Sequence, residues 1–131
     1  MEAPRPRPAG ALRRLTVFTD LADRCAGRPR YAEIVRLGRQ RGLRGMSVLR
    51  GIGGYGRSGV VREGGLLRPP RDLPVMVVAV DTAEAIESFL PVLERIAPEN
   101  LIVLDEVRAV RFPAPGRGPG PDPLSRPGSS A

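Results

Sequence analysis

Apolar and polar positions change period several times along the chain, and each change marks an element. Leu12 to Thr19 (LRRLTVFT) ends in alternation, with Leu15 and Val17 on one face, which predicts a strand. A polar connector, DLADRCAGRPR, follows and is closed by Gly27 and Pro29. Tyr31, Ile34, Val35 and Gly38 then fall at i, i+3, i+4 and i+7, a single helical stripe. Pro29 suits the first turn of that helix, where a missing N–H costs nothing, and Gly42 suits its C-terminal stop. Gly45 to Arg50 reads as a short second strand, with Met46, Val48 and Arg50 on one side.

Val75 to Val80 (VMVVAV) is a nearly continuous apolar run, the pattern of a strand buried on both faces. Asp81 is expected to cap the next helix, with Glu84 three residues on completing a capping-box-like pair. Ile86, Phe89, Leu90, Leu93, Ile96 and Ala97 mark its buried side. Pro91 falls inside this pattern and should kink the helix, and Pro98 ends it. Leu101 to Arg111 predicts a last strand, broken near Asp105. Strand, helix, strand, strand, helix, strand is the α+β, ferredoxin-like βαββαβ plan. It builds a four-stranded antiparallel sheet with both helices on one face. The other face would be bare in a monomer, and oligomerisation is the simplest cover for it.

Between the second and third strands lies Arg50 to Gly59, RGIGGYGRSG, with five glycines in ten residues. Gly51, Gly53 and Gly56 spell the dinucleotide fingerprint G-x-G-x-x-G. Gly51 to Ser58 reads as a P-loop with arginine in place of lysine. Both machines need the glycines to lead from a strand directly into a helix, so that phosphate meets the helix N-terminus. Here RSGVVREGG follows, and no helix can be defended on it. An extended arm or hairpin over Gly59 to Leu67 fits better. Two readings remain: a flexible turn between strands, or glycine-rich backbone forming an anion nest beside Arg50 and Arg57.

The ends of the chain differ from its middle. Residues 1–10 and 112–131 are rich in Pro, Gly, Ser and Ala and offer little to bury, which predicts disordered tails around one domain at 11–111. The 131 residues contain 21 Lys plus Arg, every one arginine, against 14 acids, a net charge of +7. A GC-rich genome accounts for arginine without lysine, and the excess reads as spread along the core, so nucleic acid is not the expected partner. Neither Trp nor enough other aromatics are present for a base-stacking platform.

The chain has no histidine and one cysteine, Cys25, which excludes a Ser-His-Asp triad, a Cys-His dyad and a His/Cys zinc site within one chain. The remaining acid–base candidates, Asp23, Tyr55, Glu63, Asp72 and Asp105, are not paired by any telling spacing, so an enzyme is not expected. No apolar run approaches a membrane span and no signal-peptide core is seen, so a soluble cytoplasmic protein without membrane insertion is expected.

R-G-I-x-G-Y-G-x-S-G, entered from Gly45 and Val48 and left towards Leu73-Pro74-Val75, resembles the PII-like family catalogued as domain of unknown function 190. Gly27, Pro29, Tyr31, Gly42, Asp81-Thr82, Phe89-Leu90-Pro91 and Leu101-Ile102 extend the match over residues 12 to 110. One departure is visible, since an Ile-His pair is expected where this chain has Val60-Val61. The resemblance implies a ferredoxin-like subunit of a homotrimer, similar to nitrogen-regulatory PII proteins. Those bind nucleotides in clefts between subunits and reach a target through a long loop after the second strand. It implies a signalling protein whose ligand contacts would be Arg50, Gly51, Gly54, Tyr55, Gly56, Arg57, Ser58 and Gly59. ATP, ADP or a cyclic nucleotide is the effector class it admits. Some members lie beside genes for small fluoride-exporting channels, so a membrane channel or transporter is the target it suggests. A trimeric structural or nucleic-acid-binding protein is the alternative left open.

Overall fold

The structure, a computed structural model, describes residues 7–8, 11–55, 61–63 and 73–113. Four strands, β1 (Leu12–Asp20), β2 (Ser47–Arg50), β3 (Pro74–Thr82) and β4 (Ile102–Val107), form one antiparallel sheet in the order β2-β3-β1-β4. Helix α1 (Arg30–Gln40) joins β1 to β2, and α2 (Ala83–Ile96) joins β3 to β4. This is the expected βαββαβ plan. The two longest strands sit side by side, paired from Leu12 opposite Thr82 to Asp20 opposite Pro74.

That register puts Leu15 and Val17 of β1 on the same face as Val75, Val77 and Ala79 of β3. There they meet Ile34 and Leu37 from α1 and Ile86, Phe89 and Leu93 from α2 in one core. Since side chains alternate across a strand, the intervening residues form the opposite face. The expectation of a strand buried on both sides is corrected: β3 alternates, with Met76 exposed and Val78 and Val80 half-buried.

Local signals set the ends of the elements. The hairpin Arg24–Cys25 with Arg28–Pro29 turns through Ala26 (φ 51°) and Gly27 (φ 81°), the two left-handed residues that a tight hairpin demands. Pro29 is the residue before α1 rather than part of its first turn. At the other end Gly42 takes φ 85°, donating to Arg39 O (3.1 Å) while Leu43 donates to Gly38 O (3.0 Å). These are the two bonds of a Schellman stop, as the glycine suggested.

Helix α2 departs from the reading in its cap. Thr82 is the cap, and its Oγ1 accepts from Ala85 N–H at 3.2 Å. Asp81 is instead the fully buried penultimate residue of β3, accepting from Thr82 N–H (2.7 Å) and Arg44 N–H (3.1 Å). It ties the turn after α1 to the start of α2. Glu84 therefore lies at the second helical position and closes no capping box. The helix runs on through Pro91 as one element. Arg30 caps its far end, donating from its guanidinium to Ile96 O and, at 3.0 Å, to Arg24 O.

The last strand breaks after Val107, not near Asp105, and Val110–Arg111 pairs with Arg7–Pro8. The rest of the two expected tails, apart from Phe112 and Pro113, lies outside the described residues.

Candidate functional site

The glycine-rich segment leaves the sheet at the C-terminal end of β2, an edge strand bonded only to β3. Arg50, its last residue, pairs with Val75; it is exposed and its guanidinium has no partner among the described residues. Gly51 then donates its N–H to Pro74 O at 2.7 Å. The approach is so close that a Cβ on Gly51 would lie 2.6 Å from Pro74 Cγ, inside contact distance. Glycine is required here by the rigid proline ring beside it. Gly54 is required by its backbone, at φ 136°.

Gly53–Tyr55 pairs antiparallel with Val61–Glu63, Gly54 standing opposite Arg62. The segment is therefore the first strand of a hairpin arm, and the next helix described along the chain begins at Ala83. Strand leading into hairpin is incompatible with both a dinucleotide fold and a P-loop. The arm was expected from Gly59 onwards; its first described strand starts at Gly53, inside the glycine run. Arg50, Gly51 and Gly54 are brought together at the arm's root with the backbone of Tyr55, while Gly56, Arg57, Ser58 and Gly59 lie outside the described residues.

One neighbour of this root was not singled out as functional. Pro74 supplies both the acceptor and the wall for Gly51; its only signal was its place in the Leu73-Pro74-Val75 motif. At the C-terminal end of β1, with β3 between it and β2, Asn100 donates to Phe18 O (2.9 Å) and Asp23 accepts from Thr19 Oγ1 (2.6 Å). Asp20 folds back to accept from the N–H groups of Ala22 and Asp23, both at 2.8 Å. These bonds shape the turn after β1 and employ the carboxylates structurally. Asp105 is remote on β4, and no group of three or more Cys, Asp or Glu able to hold a metal occurs among the described residues.

The open face of the sheet is the second feature. Leu49, Met76, Phe18 and Val103 are all more than a third exposed on it, with Val78 and Val80 between them. Arg14 and Asp105 sit within this apolar field and pair with each other. The Asp105 hydrogen bond and charge raise the Arg14 pKa further above its already basic value. A groove of about 410 Å³ at the opposite end of the sheet from Arg50, lined in part by Leu12, Arg13, Ala83 and Glu106, holds none of the expected ligand contacts. Among the described residues no helix is long and apolar enough to cross a membrane.

Known proteins bear on this geometry. The family model DUF190 (Uncharacterized ACR, COG1993) matches residues 12–109. The chain belongs to this family. The UPF0166 protein of Aquifex aeolicus (strain VF5) is 32% identical over 96 residues, covering 73% of this chain and 90% of that protein. A UPF0166 protein of Methanocaldococcus jannaschii is 31% identical over 90 residues, covering 69% and 82%. Among solved structures, a putative PII-like signaling protein of Thermus thermophilus superposes with a TM-score of 0.52 at 12% identity, over 78% of this chain and 90% of that one. CPII of Thiomonas intermedia K12, a nitrogen regulatory PII-like protein bound to ADP, AMP and bicarbonate, gives 0.50 at 19%, over 77% and 90%. At such identities the likeness establishes the PII-like fold. It does not carry a ligand across.

Proposed function

We propose that this protein is a PII-like regulator that binds a small anionic ligand, an adenine nucleotide, in clefts between the subunits of a homotrimer. It signals occupancy through the hairpin arm that follows β2. The observation that carries this reading is the root of the arm. An arginine without a partner among the described residues ends a rigid strand, and beside it glycine backbone is latched to Pro74. A guanidinium offers a fork of donors matched to phosphate oxygens, and Arg50 is held where that fork would be fixed. Arg57, further along the sequence, would close over the ligand or reach the target.

The open apolar face supports the trimeric part. Exposed Leu49, Met76, Phe18 and Val103 share one surface, an apolar face of the kind that marks an interaction site. Packing copies of the sheet around a common axis would cover them and bring the arm root of one subunit beside its neighbour. That CPII is bound to ADP and AMP supports adenine nucleotides as the ligand class. The family resemblance supports a channel or transporter, a fluoride exporter among them, as the target, met from the cytoplasm.

A thermal-shift screen of ATP, ADP, AMP and cyclic AMP, with and without bicarbonate, tests the ligand. A selective ligand raises the apparent midpoint through mass action. Arg50→Ala should abolish most of that rise. No shift with any nucleotide at millimolar concentration defeats the proposal and leaves the arm as a partner-binding element alone.

A further inference from the structure

The positive charge, expected to be spread along the core, is concentrated. Residues 24–44 hold seven of the 21 arginines and one of the 14 acids, Glu33, whereas the rest of the chain carries 14 arginines and 13 acids. Codon usage explains why the basic residues are arginine. It does not explain why nearly all of the excess falls in one stretch.

The fold turns that stretch into a surface. Arg30 is spent on the end of α2. Arg24, Arg28, Arg36, Arg39 and Arg41 are exposed, on α1 or at its two ends. Arg36 and Arg39 lie three residues apart and so are neighbours on the helix. Glu33 gathers two of the others. Its carboxylate accepts from Arg36 at 2.5 and 3.0 Å, and Arg28 Nη1 stands 3.6 Å away. Arg24, Arg39 and Arg41 form no ion pair among the described residues. None of the exposed large apolar residues falls between 24 and 44.

We propose that this face is a docking surface for the sugar–phosphate backbone of double-stranded nucleic acid, read without regard to sequence. The choice of partner follows from what the surface lacks. Protein interfaces are centred on apolar and aromatic anchors with charge at the rim. Folded surfaces that bind membranes insert apolar side chains into the lipid. Binding to a duplex backbone runs on cations alone, and its interfaces are the most positively charged of the three. An 11-residue helix is roughly 16 Å long. Over that length a duplex presents about ten negative charges. The single aromatic residue of the stretch, Tyr31, is half-buried against the core, so unpaired strands gain no stacking platform.

The test uses the full chain and a 30-base-pair duplex of arbitrary sequence, followed by fluorescence anisotropy at several salt concentrations. Wild-type protein should bind in the micromolar range or weaker at physiological salt. Log affinity should fall with log salt at a slope of about −3 to −4, as for four contacted phosphates. The triple variant Arg24→Glu, Arg39→Glu, Arg41→Glu breaks no ion pair among the described residues. It should bind at least tenfold more weakly with a shallower slope, with only the small drop in thermal midpoint that two anions at the C-terminal end of α1 cause. Arg39→Glu alone should show a smaller loss of the same kind, which keeps the test valid if the triple variant does not fold. Arg108→Glu, at the end of β4, should match wild type. Absence of salt-dependent binding, or equal binding by wild type and both patch variants, overturns the proposal. Tighter binding to vesicles containing phosphatidylglycerol than to duplex also overturns it, and assigns the face to a membrane.

Discussion

Arg14 of β1 and Asp105 of β4 face each other directly across the strands and share two hydrogen bonds, 3.1 and 2.5 Å long, on the open face of the sheet. Both side chains remain partly exposed in the single chain, at 49% and 37%. In that setting the pair contributes little, because water screens it. Covered by neighbouring subunits, it would become a buried pair that fixes how the sheets register.

This yields a prediction about assembly. Wild-type protein should be trimeric by sedimentation analysis, and Met76→Arg should release monomers. Asp105→Leu alone should weaken the trimer strongly by stranding the Arg14 charge. Arg14→Leu with Asp105→Leu should recover it, because an apolar pair removes the desolvation cost as well as the attraction. A stable wild-type monomer at micromolar concentration would reject the trimer.

The buried position of Asp81 sets a second expectation. Thr82→Ala should cost about 1 kcal/mol, the usual loss for a helix cap. Asp81→Ala takes the acceptor from two part-buried N–H groups, those of Thr82 and Arg44, and should cost about 2 to 3 kcal/mol. Denaturant midpoints at constant slope measure the difference, and a smaller loss for Asp81 than for Thr82 would contradict the hydrogen bonding described.

Two glycines should respond differently to alanine. At Gly38 the added methyl meets the thioether of Met46, which is flexible, and alanine favours a helix by up to about 1 kcal/mol, so little net change is expected. At Gly51 the methyl meets the Pro74 ring, which cannot swing aside, and a loss of about 1 to 3 kcal/mol follows. Amide hydrogen exchange should show the Gly51 variant loosened at residues 51–55.

Acid should weaken the protein partly through Glu33. Hydrogen bonding from Arg36, aided by the charges of Arg36 and Arg28, holds the Glu33 carboxyl below its ordinary pKa against the opposing effect of burial. A lowered folded value means the stabilisation is complete above the unfolded value of about 4.3 and is lost as pH falls through the folded one. The stability gap between wild type and Glu33→Gln should therefore be constant from pH 6 upward and shrink below about pH 4. A gap that widens with acid would reverse the sign and reject the ion pair as its source.

For the ligand, Arg50→Ala should weaken binding of a responsive nucleotide by about 1.5 to 3 kcal/mol, the range for hydrogen bonds to charged groups. Arg57→Ala should affect nucleotide affinity less and capture of the target more. Calorimetric titration of both variants decides between a fixed and a mobile contact.

Element order, the core faces of both helices, the glycine stop of α1 and the family were all legible in the sequence. Each is written in local spacing: a 3.6-residue stripe, a two-residue alternation, a glycine where the backbone must turn left-handed, a motif of fixed length. What tertiary structure decided were the matters that depend on who stands opposite. Val75 to Val80 reads as apolar throughout, and only the pairing with β1 shows which half meets the helices. Asp81 and Thr82 are both good caps in isolation, and Asp81 lost that role because Arg44, 37 residues earlier, brings its N–H to the carboxylate. Gly51 belongs to both glycine patterns of the loop, and only the fold shows that Pro74 stands against it. Charge behaved likewise: the concentration of arginine in residues 24–44 is in the sequence, and the fold shows that five of those side chains are exposed on α1 or at its ends. Local patterns record what a residue can do, and packing across the sheet selects which of those things it does.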